Sequence, residues 1–476
     1  MSKVLNVERR SIEFVPIAER HGRVRSLFTL WFGANLQVTA IAAGGISVAV
    51  GLSLPWALIA SVLGTLIGAI FMALHSAQGP ILGIPQMIQS RAQFGYLGAV
   101  LPLVLVILMY IGYFATTGVQ GGAAFTSLTG VPIDWSIVLL IAVTTVLTIF
   151  GYRLMHASEK WLSVISGLTF LYLTYELIAG NDFGRLWHLG GFSWGPFLLA
   201  TAVAATFQLT YAPYVADYSR YLPEGTSVRK SFWYTYLGTV IASSWMFAFG
   251  AMATALSADA FEGGSVDFIV EQAPAAHWLF YLVIIAGVVA VNALNLYGLF
   301  MSTTTVIGSL SRLRMTGFSR AALIVALAAV TAAIAVAGRA NFLTNFTNFI
   351  LLLAYFLIPW TSINLADFYL IRKERYNIDD MYRRDGEYGG VDWRAMLAYL
   401  IGVAVEIPFV ATDFYTGPMV APLGGADISW ILGIFVSGGA YVAVMRARPV
   451  RAKYPPSATG RMTGAATAQD EEPAAT

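Results

Sequence analysis

The chain alternates long apolar runs with short polar segments that are rich in glycine, proline and charge. Each run is long enough to cross a bilayer, because ~20 helical residues at 1.5 Å each span the hydrocarbon core. The pattern predicts an all-α polytopic membrane protein with twelve transmembrane helices. They run roughly over residues 27–53, 56–75, 97–126, 135–154, 161–179, 195–216, 231–256, 277–303, 319–338, 342–371, 393–413 and 428–446.

The first apolar run is interrupted by polar positions. Its first half carries Asn35, Gln37 and Thr39, and two glycines follow at positions 44 and 45. Polar side chains and helix-weakening glycines at that depth are tolerated mainly where the backbone lines a cavity or packs inside protein. The segment is therefore either a broken helix at a binding site or a packed helix whose amides bond to neighbouring helices.

Span 6 carries a second interruption. Within Thr206–Tyr214, Pro213 must break or kink a helix. Two gapped spans in corresponding positions of two halves indicate an inverted repeat with a ligand site near the membrane midplane. The predicted repeats are spans 1–5 (27–179) and spans 6–10 (195–371), with spans 11 and 12 (393–446) appended.

Composition and charge support this topology. Hydrophobic residues make up 57% of the 476 residues and charged residues only 11%, far below the quarter of a soluble protein. If the N-terminus is cytoplasmic, all lysines and arginines except Arg185 and Arg339 fall on the inside, as the positive-inside rule requires. We therefore expect a plasma-membrane protein with cytoplasmic termini: a tail at 1–26 that is not a signal peptide, a loop at 372–392 and a disordered tail at 447–476.

Further polar side chains recur at membrane depth. In span 3, Tyr113, Thr117 and Gln120 repeat every three or four residues and share one helical face. Amides and aromatic rings with almost no charge suit a planar, uncharged heterocycle or a sugar, whereas a zwitterion or phosphate would also need a cation. Each of these residues could instead form hydrogen bonds that hold neighbouring helices together. Spans 6 and 8 add the polar side chains Thr206, Gln208, Thr210, Tyr211, Asn292, Asn295 and Tyr297.

Two carboxylates lie within spans, Glu176 late in span 5 and Glu406 in span 11. A buried carboxylate can carry a proton, so both are candidate proton carriers. Glu176 could equally be an interfacial residue, and Glu406 could cap backbone that Pro408 frees. No Walker A motif and no metal-ligand spacing of histidines is present, so neither ATP hydrolysis nor a cofactor is predicted.

Four motifs together give a family resemblance over nearly the whole chain. They are W-F-G-A-N-L-Q (Trp31–Gln37), G-P-I-L-G-I-P-Q-M-I-Q-S-R-A-Q-F-G (Gly79–Gly95), A-D-Y-S-R-Y (Ala216–Tyr221) and Y-F-L-I-P-W-T-S-I-N-L-A-D-F-Y-L-I-R (Tyr355–Arg372). The chain resembles the nucleobase–cation symporter-1 family, in its purine/cytosine permease branch. The resemblance implies a LeuT-type fold with a 5+5 inverted repeat, in which helices 1 and 6 are broken, plus two C-terminal helices.

The resemblance also implies roles for single residues. Gln37 matches the glutamine that hydantoin-type members place on the substrate, and Tyr113 stands where those members stack a tryptophan on the ring. Thr117 replaces their glutamine one turn further on. The helix 6 aromatic position falls on Gln208, with Phe207 adjacent. In helix 8, Asn292 fits the amide position of the family, and Asn295 is a second candidate.

The cation site departs from the family pattern. Sodium-coupled relatives use two carbonyls of helix 1, here Gly33 and Leu36, with hydroxyl groups on helix 8. The aligned helix 8 positions hold Gly287, Ala290 and Val291, none of which has a side-chain oxygen. Because a hard cation needs several oxygen ligands, we expect proton coupling or a degraded, non-coupling sodium site.

The sequence thus predicts an importer of a nucleobase, purine or cytosine, that works by cation symport and alternating access. A symporter of a related ring, such as hydantoin, allantoin, uracil or a vitamin, shares every motif and remains the main alternative. A channel would show a continuous polar pore, and an enzyme would show a constellation of ionisable groups. The expected partners are the nucleobase, the coupling cation and lipid; we expect a monomer that binds no nucleic acid.

Overall fold

The computed structural model describes residues 12–150, 152–187, 191–311 and 316–447, and gives only the backbone for residues 152–160 and 259–264. The far N-terminus and the predicted tail beyond Ala447 lie outside the described residues. The described chain folds into helices. Numbered along the sequence, they are α1 Ser26–Ala34, α2 Val38–Ala49, α3 Leu54–Ser76, α4 Gly79–Leu82, α5 Gln86–Phe94, α6 Val100–Thr129, α7 Ile133–Phe150, α8 Tyr152–Ala179, α9 Phe183–Trp187, α10 Trp194–Leu209, α11 Ala212–Ser219, α12 Val228–Leu256, α13 Ala258–Glu271, α14 His277–Leu310, α15 Gly317–Gly338, α16 Phe342–Ala366, α17 Trp393–Glu406 and α18 Ser429–Ala447.

Most of these helices can cross a membrane. Within the described residues, 10 segments are long and apolar enough, and the bent pair α1–α2 makes 11 if it counts as one span. The predicted span 393–413 contains α17, which has 14 residues and gives way to a 3₁₀ turn at Ile407–Phe409 that contains Pro408. Since ~20 residues are needed to cross, span 11, and with it the count of twelve, stays a prediction.

The two predicted helix breaks are present. Helix 1 is divided into α1 and α2, which meet at 62°, and Gln37 at the junction has an extended backbone with φ −146°. Helix 6 is divided into α10 and α11, separated by Thr210 and Tyr211. Pro213 lies in the first turn of α11, where its missing N–H removes no intrahelical bond. The proline therefore starts a new half-helix.

The two broken helices belong to one four-helix layer. Helix 1 packs along α12, and α10 packs along α3. Glycines permit both close approaches: a Cβ on Gly44 of α2 would lie 2.2 Å from the carbonyl oxygen of Phe247 in α12, and one on Gly68 of α3 would lie 2.1 Å from that of Ala205 in α10. A second layer consists of α6, α7, α14 and α15, which pack on one another, and α16 to α18 lie beside the core.

The face of the protein at which residues 12–25 lie, called here the N-terminal face, is also folded. The predicted loop 372–392 packs on α5 and on Phe14 in a separate hydrophobic cluster. Asp367, which is fully buried at its edge, accepts hydrogen bonds from Gln93, Tyr376 and Tyr441 and pairs with Arg372 at 3.2 Å. These contacts fix α5 and the ends of α16 and α18 to one another.

The glycine contact between α2 and α12 generates the first prediction. Gly44→Ala forces a methyl group into the backbone of Phe247, and overpacking of this kind costs about 1–3 kcal/mol. We expect a lower thermal unfolding temperature for purified protein in detergent. Gly439→Ala is the matched control, because a Cβ at this exposed position of α18 meets nothing within 4 Å. Equal unfolding temperatures for the two variants would contradict the packing described.

Candidate ligand site between the broken helices

A cavity of about 960 Å³ lies where the two helix breaks face α6, α8 and α14. Its deep end is lined by Gln37, Tyr113, Thr210 and Tyr211. From there it extends along α1 to Ser26, so it opens towards the N-terminal face. Irregular backbone is tolerated within a membrane where it lines a cavity, and this cavity lies at the junction of two interrupted helices.

Hydrogen bonds join the polar side chains at the deep end. Gln37 donates from Nε2 to the hydroxyl of Tyr211 at 3.2 Å, and its Oε1 accepts from Thr39 at 3.3 Å. Tyr113 and Thr210 share a hydrogen bond of 2.9 Å; Thr210 gives its proton to the Phe207 carbonyl, so Tyr113 is the donor. Since an amide has two donors and two lone pairs, Gln37 keeps capacity for a ligand.

Most of the predicted ligand-binding residues are brought together here. Gln37, Tyr113, Thr117, Thr210 and Asn295 all line the cavity. They come from helix 1, α6, the helix 6 break and α14, so four separate elements supply one set of polar groups. The assignment of these residues to a ligand stays a prediction.

Three predicted residues lie behind the cavity wall. Phe207 is fully buried and meets the ring of Tyr113 edge-on at 6.2 Å. Asn292 accepts from the hydroxyl of Thr117 and does not reach the cavity, although Asn295 three residues later does. Gln208 is fully buried, with its amide bonded to α12.

An aromatic wall was not included in the predicted site. Tyr211, Tyr214 and Tyr218 lie along one side of the cavity, and Trp31 of α1 meets the ring of Tyr211 at 5.5 Å and that of Tyr218 at 5.5 Å. Tyr110 of α6 faces Tyr214 at 5.6 Å. The signal was available in the sequence, because the three tyrosines of helix 6 recur at the three-and-four spacing of one helical face.

The cavity is electrically neutral. Among the described residues that line it, none carries a formal charge; the polar atoms come from amides, hydroxyls and backbone at the breaks. Such a surface can match the donors and acceptors of a neutral ring and stack on its faces, but offers no counter-ion to a carboxylate or phosphate.

The predicted cation positions face the same cavity. Gly33 and Leu36 line it from helix 1, and the helix 8 positions line it without any side-chain oxygen: Gly287, Ala290 and Val291. Hydroxyl groups come instead from α8, where Ser163 and Ser166 line the cavity. A Cβ on Gly33 would lie 2.5 Å from Oγ of Ser163, so this hydroxyl touches helix 1 next to its break. Sequence reasoning missed both serines, because it considered only the helix 8 pattern.

The two candidate proton carriers lie elsewhere. Glu406 on α17 is buried against Gly433 of α18, and within the described part of the chain neither of its carboxylate oxygens has a hydrogen-bond partner. Glu176 on α8 is half-buried. Neither glutamate lines the cavity. A proton bound to either carboxylate would therefore affect the ligand only indirectly, without touching it.

A second chamber of about 590 Å³ continues the path to the N-terminal face. It shares Tyr110, Tyr214 and Tyr218 with the main cavity. Unlike the main cavity it contains charged groups, Asp217 and Arg220. The path therefore changes from neutral and aromatic at the helix breaks to charged at the N-terminal face.

The position of Gln37 generates a prediction. In Gln37→Ala the bound ligand loses its amide partner, which leaves a buried polar atom unpaired and costs about 1–3 kcal/mol, or roughly 5–100-fold in affinity. The measurement is equilibrium binding to purified protein. Gln272→Ala, which removes an amide near the chain's surface outside both chambers, is the control. Unchanged affinity in Gln37→Ala would place the ligand elsewhere.

Comparison with known proteins gives one family. The model of the family described as permease for cytosine/purines, uracil, thiamine, allantoin matches residues 14–433. A Bacillus subtilis protein named as a purine-cytosine permease is 44% identical over 444 residues, which cover 93% of this chain and 97% of that protein. The purine-cytosine permease fcyB of Emericella nidulans is 26% identical over 470 residues, 94% of this chain and 90% of that one.

A solved structure matches the fold. Mhp1, described as a nucleobase-cation-symport-1 family transporter in a closed conformation with bromovinylhydantoin bound, superposes with a TM-score of 0.75 at 21% identity. The match covers 93% of this chain and 97% of Mhp1. The predicted LeuT-type fold with broken helices 1 and 6 is confirmed; the predicted limits of the repeats remain a prediction.

Proposed function

Because this chain belongs to the family of permeases for cytosine/purines, uracil, thiamine and allantoin, we propose that it imports a nucleobase, a purine or cytosine, by cation symport. The nucleobase binds at the junction of the two broken helices, and the protein exposes this junction alternately to the two sides of the membrane. The relatives named as purine-cytosine permeases, one of them 44% identical, support the choice of substrate.

The observation that carries the proposal is the neutral cavity lined by amides, hydroxyls and aromatic rings. A nucleobase is flat and uncharged, and its edge carries adjacent hydrogen-bond donors and acceptors. Gln37 presents a donor and an acceptor side by side, and Tyr113 and Tyr211 supply ring faces or edges next to it. An amino acid or a phosphate ester would enter this cavity without a counter-ion.

The shape of the cavity supports alternating access. It opens along α1 to the N-terminal face, which we place in the cytoplasm because nearly all lysines and arginines lie on that side of the predicted spans. The structure then corresponds to the state from which substrate is released. In this reading the protein resides in the plasma membrane with both termini inside, and it acts as a monomer without a cofactor.

For the coupling ion we favour a proton over sodium. Gly287, Ala290 and Val291 face the cavity without side-chain oxygens, so α14 contributes little to a sodium site. Ser163 and Ser166 on α8 could supply hydroxyl ligands in their place, which makes sodium the specific alternative. Glu406 remains the candidate proton carrier with the deepest burial, remote from the ligand.

A second candidate substrate class is a related ring compound. The family description includes uracil, thiamine and allantoin, and Mhp1 was solved with a hydantoin derivative bound. Uracil and the hydantoin ring are flat and uncharged and carry similar donor and acceptor edges, so the same cavity chemistry would hold them. Only a ligand panel separates the two classes.

The test is ligand binding to purified protein, followed by thermal shift or tryptophan quenching. The panel holds cytosine, adenine, guanine, hypoxanthine, uracil, allantoin and a hydantoin, each with and without Na⁺ at two pH values. We expect a purine or cytosine to bind, with affinity that depends on pH and not on Na⁺. If allantoin or hydantoin binds and no purine or cytosine does, the substrate belongs to the class of related ring compounds. A requirement for Na⁺ would contradict proton coupling.

A further inference from the structure

Four side chains form a closed ring of hydrogen bonds behind the ligand cavity. Asn35 donates from Nδ2 to Thr239 at 3.0 Å, Thr239 donates to Oε1 of Gln208, Gln208 donates from Nε2 to Ser243 at 2.5 Å, and Ser243 donates to Oδ1 of Asn35 at 2.6 Å. All four are buried. We call this group the amide–hydroxyl ring. Within it each residue donates once and accepts once.

The direction of the ring is set by one backbone carbonyl. Nδ2 of Asn35 also donates to the carbonyl of Trp31 at 2.7 Å, in place of the backbone N–H of Asn35, which bonds instead to Phe32. A carbonyl can only accept, so this contact fixes which end of the Asn35 amide faces Ser243. Each hydroxyl has a single proton, and the remaining donors follow in turn around the ring.

The ring joins the two helix breaks to a third helix. Asn35 lies at the end of α1, two residues before Gln37; Gln208 lies at the end of α10, two residues before Thr210. Thr239 and Ser243 lie on successive turns of α12. The ring members themselves do not line the cavity, whereas Gln37 and Thr210 do.

Backbone contacts also join α12 to helix 1 on both sides of the break. A Cβ on Gly238 of α12 would lie 2.5 Å from the carbonyl oxygen of Phe28 in α1, and one on Gly250 would lie 1.8 Å from that of Ile41 in α2. Both halves of helix 1 therefore rest on α12, and the ring adds helix 6 to the same unit.

We propose that Thr239 and Ser243 are positioning residues for the ligand site, because the amide–hydroxyl ring locks both helix breaks onto α12 as one rigid unit. This unit holds Gln37 and Thr210 in a fixed position relative to each other at the ligand site. The opposite wall, formed by Tyr113 and Asn295, belongs to α6 and α14. The proposal rests on the proposed function for the identity of the ligand, but the ring itself does not depend on it.

Position 239 offers a matched pair of variants. Thr239→Val keeps the shape but removes the hydroxyl, so Gln208 and Asn35 each lose a partner; Thr239→Ser keeps the hydroxyl and removes only a methyl group. We expect Thr239→Val to weaken nucleobase binding by roughly 10-fold, because Asn35 and Gln208 then no longer fix Gln37 and Thr210 in register for the ligand. Thr239→Ser should retain most of the wild-type affinity, because its hydroxyl is still present. Ser244→Ala is the control on the same helix, because its hydroxyl has no partner among the described residues.

A double-mutant cycle separates positioning from a general loss of stability. If the ring acts through Gln37, Thr239→Val should add little to the loss already caused by Gln37→Ala, because the contact that it positions is gone. Independent, additive losses would show that the ring only stabilises the fold. Equal binding by Thr239→Val and the wild type, or equal losses in Thr239→Val and Thr239→Ser, would also overturn the proposal.

A measurement without ligand keeps the two proposals distinguishable. The chain has no cysteine, so Ala49→Cys and Gly225→Cys introduce the only two thiols for spin labels. Ala49 is the exposed last residue of α2, and Gly225 lies at an exposed position beyond α11. The distance between them crosses both breaks. We expect a narrow distribution in Thr239→Ser and a broad one in Thr239→Val. If no panel compound binds the wild type, the proposed function fails, and the spin-label distances alone test the ring proposal. Distance distributions of equal width in Thr239→Ser and Thr239→Val would contradict it.

Discussion

A break in a membrane-spanning helix exposes backbone groups that lipid cannot solvate, and the rest of this structure depends on how those groups find partners. At the end of α1 the side chain of Asn35 takes the carbonyl of Trp31 that the interrupted helix leaves free. In helix 6 the break costs no hydrogen bond at Pro213, because the proline begins the next half-helix. The side chains of Asn35 and Gln208 next to the breaks find their partners on α12, which lies against helix 1 through glycines.

The same constraint determines what the cavity can recognise. Polar atoms are present because the backbone is irregular, yet formal charges are kept out of the main cavity and appear in the chamber near the N-terminal face, at Asp217 and Arg220. A neutral, flat ligand can replace the hydrogen bonds and ring contacts of this surface, whereas a charged one would be desolvated without compensation. The helix breaks that make the backbone irregular thus also give the cavity its neutral, hydrogen-bonding surface.

The sequence was sufficient to predict the features that depend on local pattern. Polar residues inside an apolar run predicted the break in helix 1, Pro213 predicted the one in helix 6, and Gln37 and Tyr113 were placed on the cavity side. It was not sufficient where the direction of a side chain depends on packing. Gln208 bonds to partners 31 and 35 residues away on α12, a neighbour that hydropathy cannot identify. Ser163 was missed for the same reason, since its contact with Gly33 exists only because α8 crosses α1 there.

The hydrogen bond between Tyr113 and Thr210 joins the two walls of the cavity directly, one on α6 and the other at the break of helix 6. A ligand that inserts between these hydroxyls must take over both ends of a bond that the protein already makes. Recognition is then an exchange of partners, in which hydrogen bonds to the ligand replace one that the protein already makes. Discrimination between similar rings would arise from how well their edges imitate a tyrosine hydroxyl on one side and a threonine hydroxyl on the other.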